Sequence, residues 1–451
     1  MNYLEALKKL EEIEGNYDVE SVRTEGVPVW PWLRLYLFQV MAHTKNEHSH
    51  DISAGKVKIV LRSLFAFNPL KYLKHHKVWL FNGGERRKEI KGKYIHRVSG
   101  FANSLIQDCF FIEKPSLLEG HHKKNEIEEK EIVSESWILL AVHITERFKR
   151  FRKLTVENEH IIAEILDKLG VRFDYRYFIR FLLAQRSVIK SLMRIAGRPD
   201  KVVIECPYTV MGYLWAFHDM KIKVIELQHG VAGSSHNAYV YRHPSIFYPD
   251  AMCVYGDREE EYFKQENPYY AKEIIPTGLY ILEKCDKAFN RDPFAEYRER
   301  YDYIVVFAGQ DAIVPQNIEF IKKVSKENPK QLFVFVPRFD IPNFPDDISN
   351  LLYKPGVNIY EYLKWCDIHC TVYSTTCLEA AYYNKPTIFY NQDNFSQKYY
   401  GDYLKKGNGI EYIDDPTEFG EALLKIKNCK EFKFPQAFVQ FSKEKLSTLF
   451  C

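Results

Sequence analysis

The chain has 451 residues, too many for one ordinary domain, and 46% of them are hydrophobic, which excludes a wholly disordered protein. Lysine and arginine number 63 against 60 acidic residues, so the formal net charge of +3 lacks the basic excess of a duplex-binding protein and no nucleic-acid partner is expected. The mean hydropathy of -0.35 argues against a polytopic membrane protein, and residues 1–15 form a charged helical pattern without a signal-peptide core. We therefore expect a cytosolic protein.

The first part of the chain alternates strand-like and helix-like patterns, and two strands that bracket one helix within about 30 residues predict a parallel sheet. The polar, charge-rich stretch 113–135 is predicted to be a surface loop. Strands are predicted at residues 77–81, 201–204, 223–227 and 251–255, and helices at residues 155–169, 173–195 and 209–220.

A second block of the same kind follows a charged linker at residues 283–300. Strands are predicted at residues 303–307, 331–336, 368–372 and 386–390, and helices at residues 316–326, 359–365, 378–383 and 416–426. The α/β pattern predicts two Rossmann-like domains whose parallel sheets face a central cleft. We assign residues 1–282 to the first domain, with a helical N-terminal extension, and residues 283–430 to the second. Residues 431–451 are expected to form a tail that packs back on the first domain.

The nine cysteines are scattered and no pair has the two-residue spacing of a zinc knuckle or a redox dithiol. Cys366, His369 and Cys370 are close in sequence, but they fall in a segment with the pattern of a buried strand. Cysteine is among the most buried residue types, so a core role is favoured there over a metal site.

Ligands of open parallel sheets bind at the carboxyl ends of the strands, which directs attention to Ser374, Thr375 and Thr376. These hydroxyls stand between a predicted strand and a predicted helix, where first-turn amides and the helix dipole favour an anion such as phosphate. An ordinary helix cap explains the three hydroxyls equally well. Glu379, one turn into the helix, needs a partner other than phosphate, and a pair of ribose hydroxyls would serve.

Two candidates for acid–base chemistry lie at strand ends of the first domain. His229, between Gln228 and Gly230, is predicted to act as a base or to contact a phosphate, since its ordinary pKa lies near neutrality. Glu205 is the alternative base, and it is equally suited to bonding backbone amides of its turn. Arg86 and Arg87 follow the Gly83–Gly84 turn and are predicted to grip an acceptor or its anionic groups.

Several motifs resemble known transferases. The run YSTTCLEAAYYNKPTIFYNQ (373–392) is similar to the donor-site stretch of GT-B glycosyltransferases. VIELQHGV (224–231), YPDAMCVYGD (248–257) and IIPTGLY (274–280) resemble enzymes of bacterial capsule, lipopolysaccharide and teichoic-acid assembly. WPWLR (30–34) resembles an N-terminal signature of the capsule polysaccharide enzymes, and the likeness extends more distantly to CDP-glycerol glycerophosphotransferases.

The resemblance implies a GT-B fold. It implies an inverting transfer of a sugar from a nucleotide-sugar donor, bound by the second domain, to a glycan or lipid-linked glycan on the side of the first domain. Residues implied to bind the donor are Ser374, Thr375, Thr376, Glu379, Arg338 and Gln310; residues implied to bind the acceptor are Arg86, Arg87 and Gln228. At residues 337–338 the order is Pro-Arg, where relatives that use CMP-sugars have His-Pro.

Missing motifs bear on the mechanism. The sequence has no Asp-x-Asp at a strand end, no Walker loop and no G-x-G-x-x-G, so we expect no metal and no cofactor, with protein cations stabilising the leaving nucleotide. Three alternatives stay open: a polyol-phosphate transferase of the CDP-glycerol type, a nucleotide-sugar 2-epimerase of the same fold, and a non-catalytic glycan-binding protein.

A membrane contact is also suggested by the sequence. Residues 56–77 mix basic and apolar side chains without an acidic one, as in segments that lie on anionic bilayers. We therefore expect peripheral contact with the inner face of the cell membrane, with the basic face of a buried helix as the alternative.

Overall fold

A computed structural model gives the fold of the chain. It describes residues 3–42, 54–116, 120–234, 236–310, 313–338, 340–342, 344, 347–401, 404–429, 432 and 438–450.

An N-terminal extension precedes the first sheet. Its elements are α1 (Tyr3–Asn16), β1 (Arg23–Thr24), β2 (Val27–Pro28), α2 (Trp30–Met41) and α3 (Ala54–Ser63). The extension is tied to the first domain by Arg34, a buried side chain of α2. Its Nε lies 2.6 Å from Glu14 Oε1, and its Nη1 donates to the backbone carbonyl of Asn237 at 2.7 Å.

The first domain contains a seven-stranded parallel sheet and a two-stranded hairpin. The strands are β3 (Val78–Gly83), the hairpin β4 (Arg87–Ile90) and β5 (Lys93–His96), β6 (Cys109–Lys114), β7 (Ile132–Ser134), β8 (Lys201–Ile204), β9 (Lys223–Leu227), β10 (Ala251–Val254) and β11 (Glu273–Pro276). The helices are α4 (Ala102–Leu105), α5 (Ser136–Lys149), α6 (Glu159–Leu169), α7 (Tyr175–Ala196), α8 (Met211–Asp219), α9 (Asp257–Glu266) and α10 (Tyr280–Ala288). In the sheet the order is β11-β10-β9-β8-β3-β6-β7.

The second domain contains a six-stranded parallel sheet. Its strands are β12 (Tyr303–Ala308), β13 (Gln331–Val336), β14 (Leu351–Tyr353), β15 (Ile368–Thr371), β16 (Thr387–Tyr390) and β17 (Ile410–Ile413), in the order β14-β13-β12-β15-β16-β17. The helices are α11 (Val314–Glu327), α12 (Ile359–Trp365), α13 (Thr376–Tyr382), α14 (Phe395–Tyr400) and α15 (Phe419–Asn428). The last helix of the chain, α16 (Lys443–Phe450), packs on the first domain.

Residues 438–450 return to the first domain. Backbone amides of Val439 and Ser442 donate to the carbonyls of Tyr255 and Thr277, each at 2.9 Å. Helix α16 buries Leu446 and Leu449 in the apolar core beneath the first sheet. The end of the chain therefore covers one face of the first domain.

The two parallel sheets confirm the predicted fold, an α/β architecture of two Rossmann-like domains as in GT-B proteins. The prediction of a surface loop at 113–135 is wrong at both ends, because β6 runs to Lys114 and β7 begins at Ile132. Within that stretch Glu113 and Glu129 are buried against a buried arginine, so their charges do not mark a solvated loop. Among the described residues, no helix is both long and apolar enough to cross a membrane.

Candidate functional site

The carboxyl ends of the two sheets face each other, and Arg97 joins them. Its side chain follows β5 in the first domain, where Nη1 donates to the backbone carbonyl of His229 at 2.9 Å. In the second domain, Nε donates to the Tyr360 hydroxyl at 2.7 Å and Nη2 to Glu379 Oε1 at 2.5 Å. The β4–β5 hairpin of the first domain is thus held against α12 and α13 of the second.

Glu379 is a buried carboxylate that can accept a further hydrogen bond. Its residue is 2% exposed, and Oε2 has no hydrogen-bond partner among the described residues. Burial raises the pKa of the carboxyl, and the Arg97 guanidinium opposes that rise. A buried acceptor without a donor is costly, so this oxygen is suited to a ligand hydroxyl. The ribose contact predicted for Glu379 stays a prediction.

Arg97 and Lys88 of the first domain act on this carboxylate, and Arg338 of the second domain acts on Lys88. Lys88 on β4 has no ion pair within 4 Å in the described part of the chain. Its pKa is lowered, first by burial and then by the charges of Arg97 and Arg338. Arg86 precedes the hairpin, and its charge acts on His229. We call Arg86, Lys88, Arg97 and Arg338 the cleft cations; together they favour a polyanionic ligand such as a diphosphate.

His229 follows β9 and is partly buried at the cleft. Its Nε2 lies 3.0 Å from the Tyr208 hydroxyl and 3.4 Å from Cys206 Sγ. Burial, together with the charge of Arg86 and the nearby His236, lowers the pKa of the imidazole well below its ordinary value. The ring is therefore neutral at physiological pH, suited to hydrogen bonding and only weakly basic.

Glu205, the alternative base, is buried beneath the cleft at the end of β8. Its Oε2 lies 3.4 Å from Arg86 Nη1, and its Oε1 lies 3.0 Å from His96 Nδ1. His96 Nε2 lies 2.9 Å from the carbonyl of Gly83, so that nitrogen carries the proton and Nδ1 is left as an acceptor when the ring is neutral. Burial raises the pKa of Glu205 to about 8 and lowers that of His96 to about 3. At neutral pH burial thus favours the protonated carboxyl of Glu205. Its Oε1 has no hydrogen-bond partner among the described residues, and His96 Nδ1 accepts from the Ser99 amide at 3.2 Å. The role of Glu205 as a base stays a prediction.

Two residues predicted to bind the acceptor have structural partners instead. Arg87 is fully buried, with Nε donating to Glu113 at 2.7 Å and Nη1 to Glu129 at 3.0 Å. Burial disfavours the ionised Glu113, but Arg87 and His121 outweigh it and lower the pKa of that carboxyl to about 2. Gln228 donates to the carbonyl of Gly230 at 2.8 Å and accepts from the amide of Tyr255 at 2.7 Å. Neither side chain presents a free polar group to the cleft.

Of the residues predicted to bind the donor, some have structural partners and others stay candidates for a ligand contact. Gln310 accepts from the amide of Tyr373 at 2.9 Å and so fixes the loop after β15. The Thr376 hydroxyl lies 2.9 Å from His369 Nε2, inside the domain. Ser374 accepts weakly from the Thr376 amide at 3.3 Å, and Thr375 makes no side-chain capping bond. Ser374 and Thr375 therefore stay candidates for a ligand contact next to Glu379.

Sequence reasoning missed Lys88, Arg97, His96 and Tyr360. Three of them belong to the β4–β5 hairpin and its exit, which the pattern of parallel strands did not reveal. The signal that was present is the alternation of a strand, since Arg87 and Lys88 must point to opposite faces. One of the two was therefore bound to lie on the cleft side.

In the described part of the chain, no three His, Cys, Asp or Glu side chains come together as metal ligands. His369, between the two buried cysteines Cys366 and Cys370, bonds Thr376 and Thr387 and has a pKa lowered by burial to about 3. The expected independence of metal stays a prediction.

Comparison with known proteins gives distant relatives. No family model matches the chain. The teichoic acid poly(ribitol-phosphate) polymerase of Bacillus spizizenii is 22% identical over 332 residues, which are 63% of this chain and 51% of the polymerase. The chain thus spans about half the length of that relative. This distant similarity agrees with the expected resemblance to enzymes of surface-polymer assembly.

Solved structures with a similar fold include an epimerase and a glycotransferase. The UDP-GlcNAc 2-epimerase of Methanocaldococcus jannaschii is 12% identical, with a TM-score of 0.49 over 82% of this chain and 98% of that chain. The glycotransferase of kitacinnamycin is 10% identical, with a TM-score of 0.46 over 79% of this chain and 91% of that chain.

Proposed function

We propose that this protein is a metal-independent transferase that moves an activated unit from a nucleotide donor to a growing bacterial surface polymer. The observation that supports this most is the cleft itself. Cations from both domains meet there, and two of them act on Glu379, a buried carboxylate whose second oxygen has no partner among the described residues. Such a site complements a nucleoside diphosphate, with phosphates on the cations and ribose hydroxyls on the carboxylate.

Each contact has a proposed role. Lys88, Arg97 and Arg338 would hold the donor phosphates together with the turn at Ser374 and Thr375. A charge-assisted bond of this kind contributes about 1.5–3 kcal/mol. As the bond to the leaving nucleotide breaks, negative charge accumulates on its phosphate, and fixed cations stabilise that charge without a metal ion.

The acceptor would approach from the first domain. His229 lies on that side, and its neutral ring can accept a hydrogen bond from an acceptor hydroxyl or orient it towards the donor. Arg86 lies between His229 and the protonated Glu205, where it can bind an anionic group of the acceptor. Glu205 and His96 would position Arg86 rather than take the proton of the acceptor.

The first candidate reaction is sugar transfer. The bond between the anomeric carbon and the phosphate oxygen breaks, the acceptor oxygen bonds to that carbon, and the nucleotide leaves with its phosphates. The acceptor we propose is a glycan or a lipid-linked glycan at the inner face of the cell membrane.

The second candidate, polyol-phosphate transfer, is favoured by the similarity to a poly(ribitol-phosphate) polymerase. Here an acceptor hydroxyl oxygen bonds to the outer phosphorus of the diphosphate. The bond from that phosphorus to the bridging oxygen breaks, CMP leaves with the bridging oxygen, and the polyol phosphate is added to the polymer. Epimerisation of a nucleotide sugar, the third possibility, needs no acceptor and releases no free nucleotide in proportion to product.

One experiment separates these reactions. A thermal-shift panel of CMP, CDP, UDP and GDP first identifies the nucleotide that stabilises the protein. For a nucleoside diphosphate, the matching donor is then prepared with a radioactive β-phosphate and incubated with the acceptor in excess EDTA. Label in the polymer shows polyol-phosphate transfer, and label in a free nucleoside diphosphate shows sugar transfer.

The proposal would be wrong if no nucleotide stabilised the protein, or if the donor were consumed equally fast without an acceptor. Loss of turnover in EDTA that manganese or magnesium restores would contradict the metal-independent mechanism.

A further inference from the structure

Helix α5 of the first domain carries apolar side chains that face the solvent. The helix buries Ile138 and Val142 against the domain. On the other side Ile144 and Phe148 are 49% and 70% exposed, and Phe151, in the turn after the helix, is 88% exposed. Their spacing of four and three residues places them on one face. Large exposed side chains in a row differ from the single apolar residues scattered over an ordinary surface.

Helix α3 and the turn after it extend this surface. Leu61 and Phe65 are 52% and 73% exposed. The ring of Phe65 packs edge-on against Trp137 of α5 with centroids 5.5 Å apart, and Trp137 Nε1 donates to the carbonyl of Leu64 at 2.8 Å. These contacts fix α3 beside the start of α5. We call the exposed residues the apolar stripe: Leu61, Phe65, Ile144, Phe148 and Phe151.

The surroundings of the apolar stripe are cationic. Exposed cations flank it on both helices and in the following turn: Lys58, Arg62, Arg147, Arg152 and Lys153. Residues 54–77 contain no acidic side chain, and residues 136–153 contain only Glu146. Glu146 is buried and paired with Arg150 at 2.9 Å, so no carboxylate is exposed within these two segments.

We propose that the apolar stripe and its flanking cations form a docking surface for an anionic phospholipid bilayer. Apolar side chains would enter the boundary between headgroups and acyl chains, and the cations would meet lipid phosphates. A second copy of the chain fits less well, because a twofold contact would bring the same cations of both copies together.

The position of the stripe relates it to the cleft. Strand β7 lies parallel to the other strands of the first sheet, so α5, which follows it, begins at the carboxyl edge. The cleft opens at that same edge. Phe65 packs on Trp137 at that edge, whereas Ile144, Phe148 and Phe151 lie about two to four turns further along the chain, so the stripe runs from the edge of the cleft away from it. This surface goes beyond the proposed reaction and does not depend on its chemistry.

Vesicle flotation tests the proposal. The full chain should bind phosphatidylcholine–phosphatidylglycerol vesicles, bind phosphatidylcholine vesicles weakly, and dissociate as salt is raised. The double substitution Phe148→Ser and Phe151→Ser should lower the partition coefficient by about 10-fold or more. The matched control is Leu424→Ser, since Leu424 is 59% exposed on α15 of the second domain; this variant should bind like the unaltered chain.

Three results would overturn the proposal. In the first, the double variant binds vesicles as strongly as the unaltered chain does. In the second, the unaltered chain does not bind vesicles. A third is self-association in sedimentation, without vesicle binding, that the double variant loses; the stripe would then join two copies. Circular dichroism and nucleotide calorimetry on each variant show whether the fold and cleft are intact. If neither the unaltered chain nor any variant bound nucleotide, but the unaltered chain still bound vesicles, the proposed reaction would be wrong and the docking surface would stand.

Discussion

Lys88 offers a test in which stability and ligand binding should change in opposite directions. Lys88 is half-buried and has no ion pair within 4 Å among the described residues. It lies near the like charges of Arg97 and Arg338, which outweigh the opposing charge of Glu379. A buried charge in this setting lowers the stability of the folded state. Replacement of Lys88 by Met keeps the apolar stem and removes the charge.

The expected effects follow from these contacts. Lys88→Met should raise the free energy of unfolding by about 1 kcal/mol, near the lower end of what removal of poorly paired buried charges gives. The same change should weaken binding of a nucleoside diphosphate by about 10-fold, the loss of one charge-assisted contact. Lys93→Met, on the exposed side of the same hairpin, is the control and should change neither quantity by much.

The pH dependence of the free energy of unfolding tests independently whether the charge of Lys88 destabilises the fold. The pKa of Lys88 is lower in the folded state than its ordinary 10.5, so the unfolded chain binds the proton more tightly. The destabilising charge is fully present below the folded pKa and is lost as pH rises from that value towards 10.5. The advantage of Lys88→Met should therefore be largest at neutral pH and shrink in alkaline solution.

Urea denaturation at several pH values and nucleotide calorimetry measure these two quantities. A Lys88→Met variant that is less stable than the unaltered chain and binds nucleotide equally well would refute the reasoning. Lys88 would then be a structural residue, and the cleft cations would not form a phosphate site.

Other side chains of the site give shorter tests. Glu205→Gln should keep the fold and most of the turnover, because burial already favours the uncharged carboxyl and the glutamine amide is uncharged and of similar shape; a loss of about 100-fold or more would show that Glu205 ionises in the reaction. His229→Ala should lower turnover by about 100-fold and His229→Gln should restore most of it, whereas equal losses in steady-state assays would identify a base. Arg87→Met should lower the free energy of unfolding by about 3–5 kcal/mol at neutral pH. Since the pKa of Glu113 falls from 4.5 to about 2 on folding, this loss should diminish in denaturation experiments as pH drops through that range; a constant loss would contradict the pairing.

Central strands of both sheets were predictable from the sequence. Strands at residues 201–204, 223–227 and 331–336 match the prediction because buried parallel strands are almost continuous apolar runs. The edge strands β7, β11, β14 and β17 were missed. Each has only three or four residues, and segments such as Glu273–Pro276 combine charge with proline, so no local pattern distinguishes them from loops.

The site was predictable only where it follows the ends of parallel strands. That rule identified Glu379, Ser374 and His229, which do lie at the cleft. It failed for Arg97, whose bond to Glu379 spans 282 positions in the sequence and depends on how the two domains meet. It also failed for Arg87, because local sequence does not show that Glu113 and Glu129 are buried beside it.

The division of the cleft cations between the domains has a consequence for ligand binding. Arg86 precedes the β4–β5 hairpin of the first domain, Lys88 lies in it and Arg97 follows it, whereas Arg338 belongs to the second domain, as does the carboxylate Glu379. Arg97 already contacts Glu379, but Lys88 and Arg338 repel each other across the same gap. A bound diphosphate would replace that repulsion by two attractions and so favour closure of the domains. The free energy of nucleotide binding and the relative position of the domains should therefore be coupled through these charges.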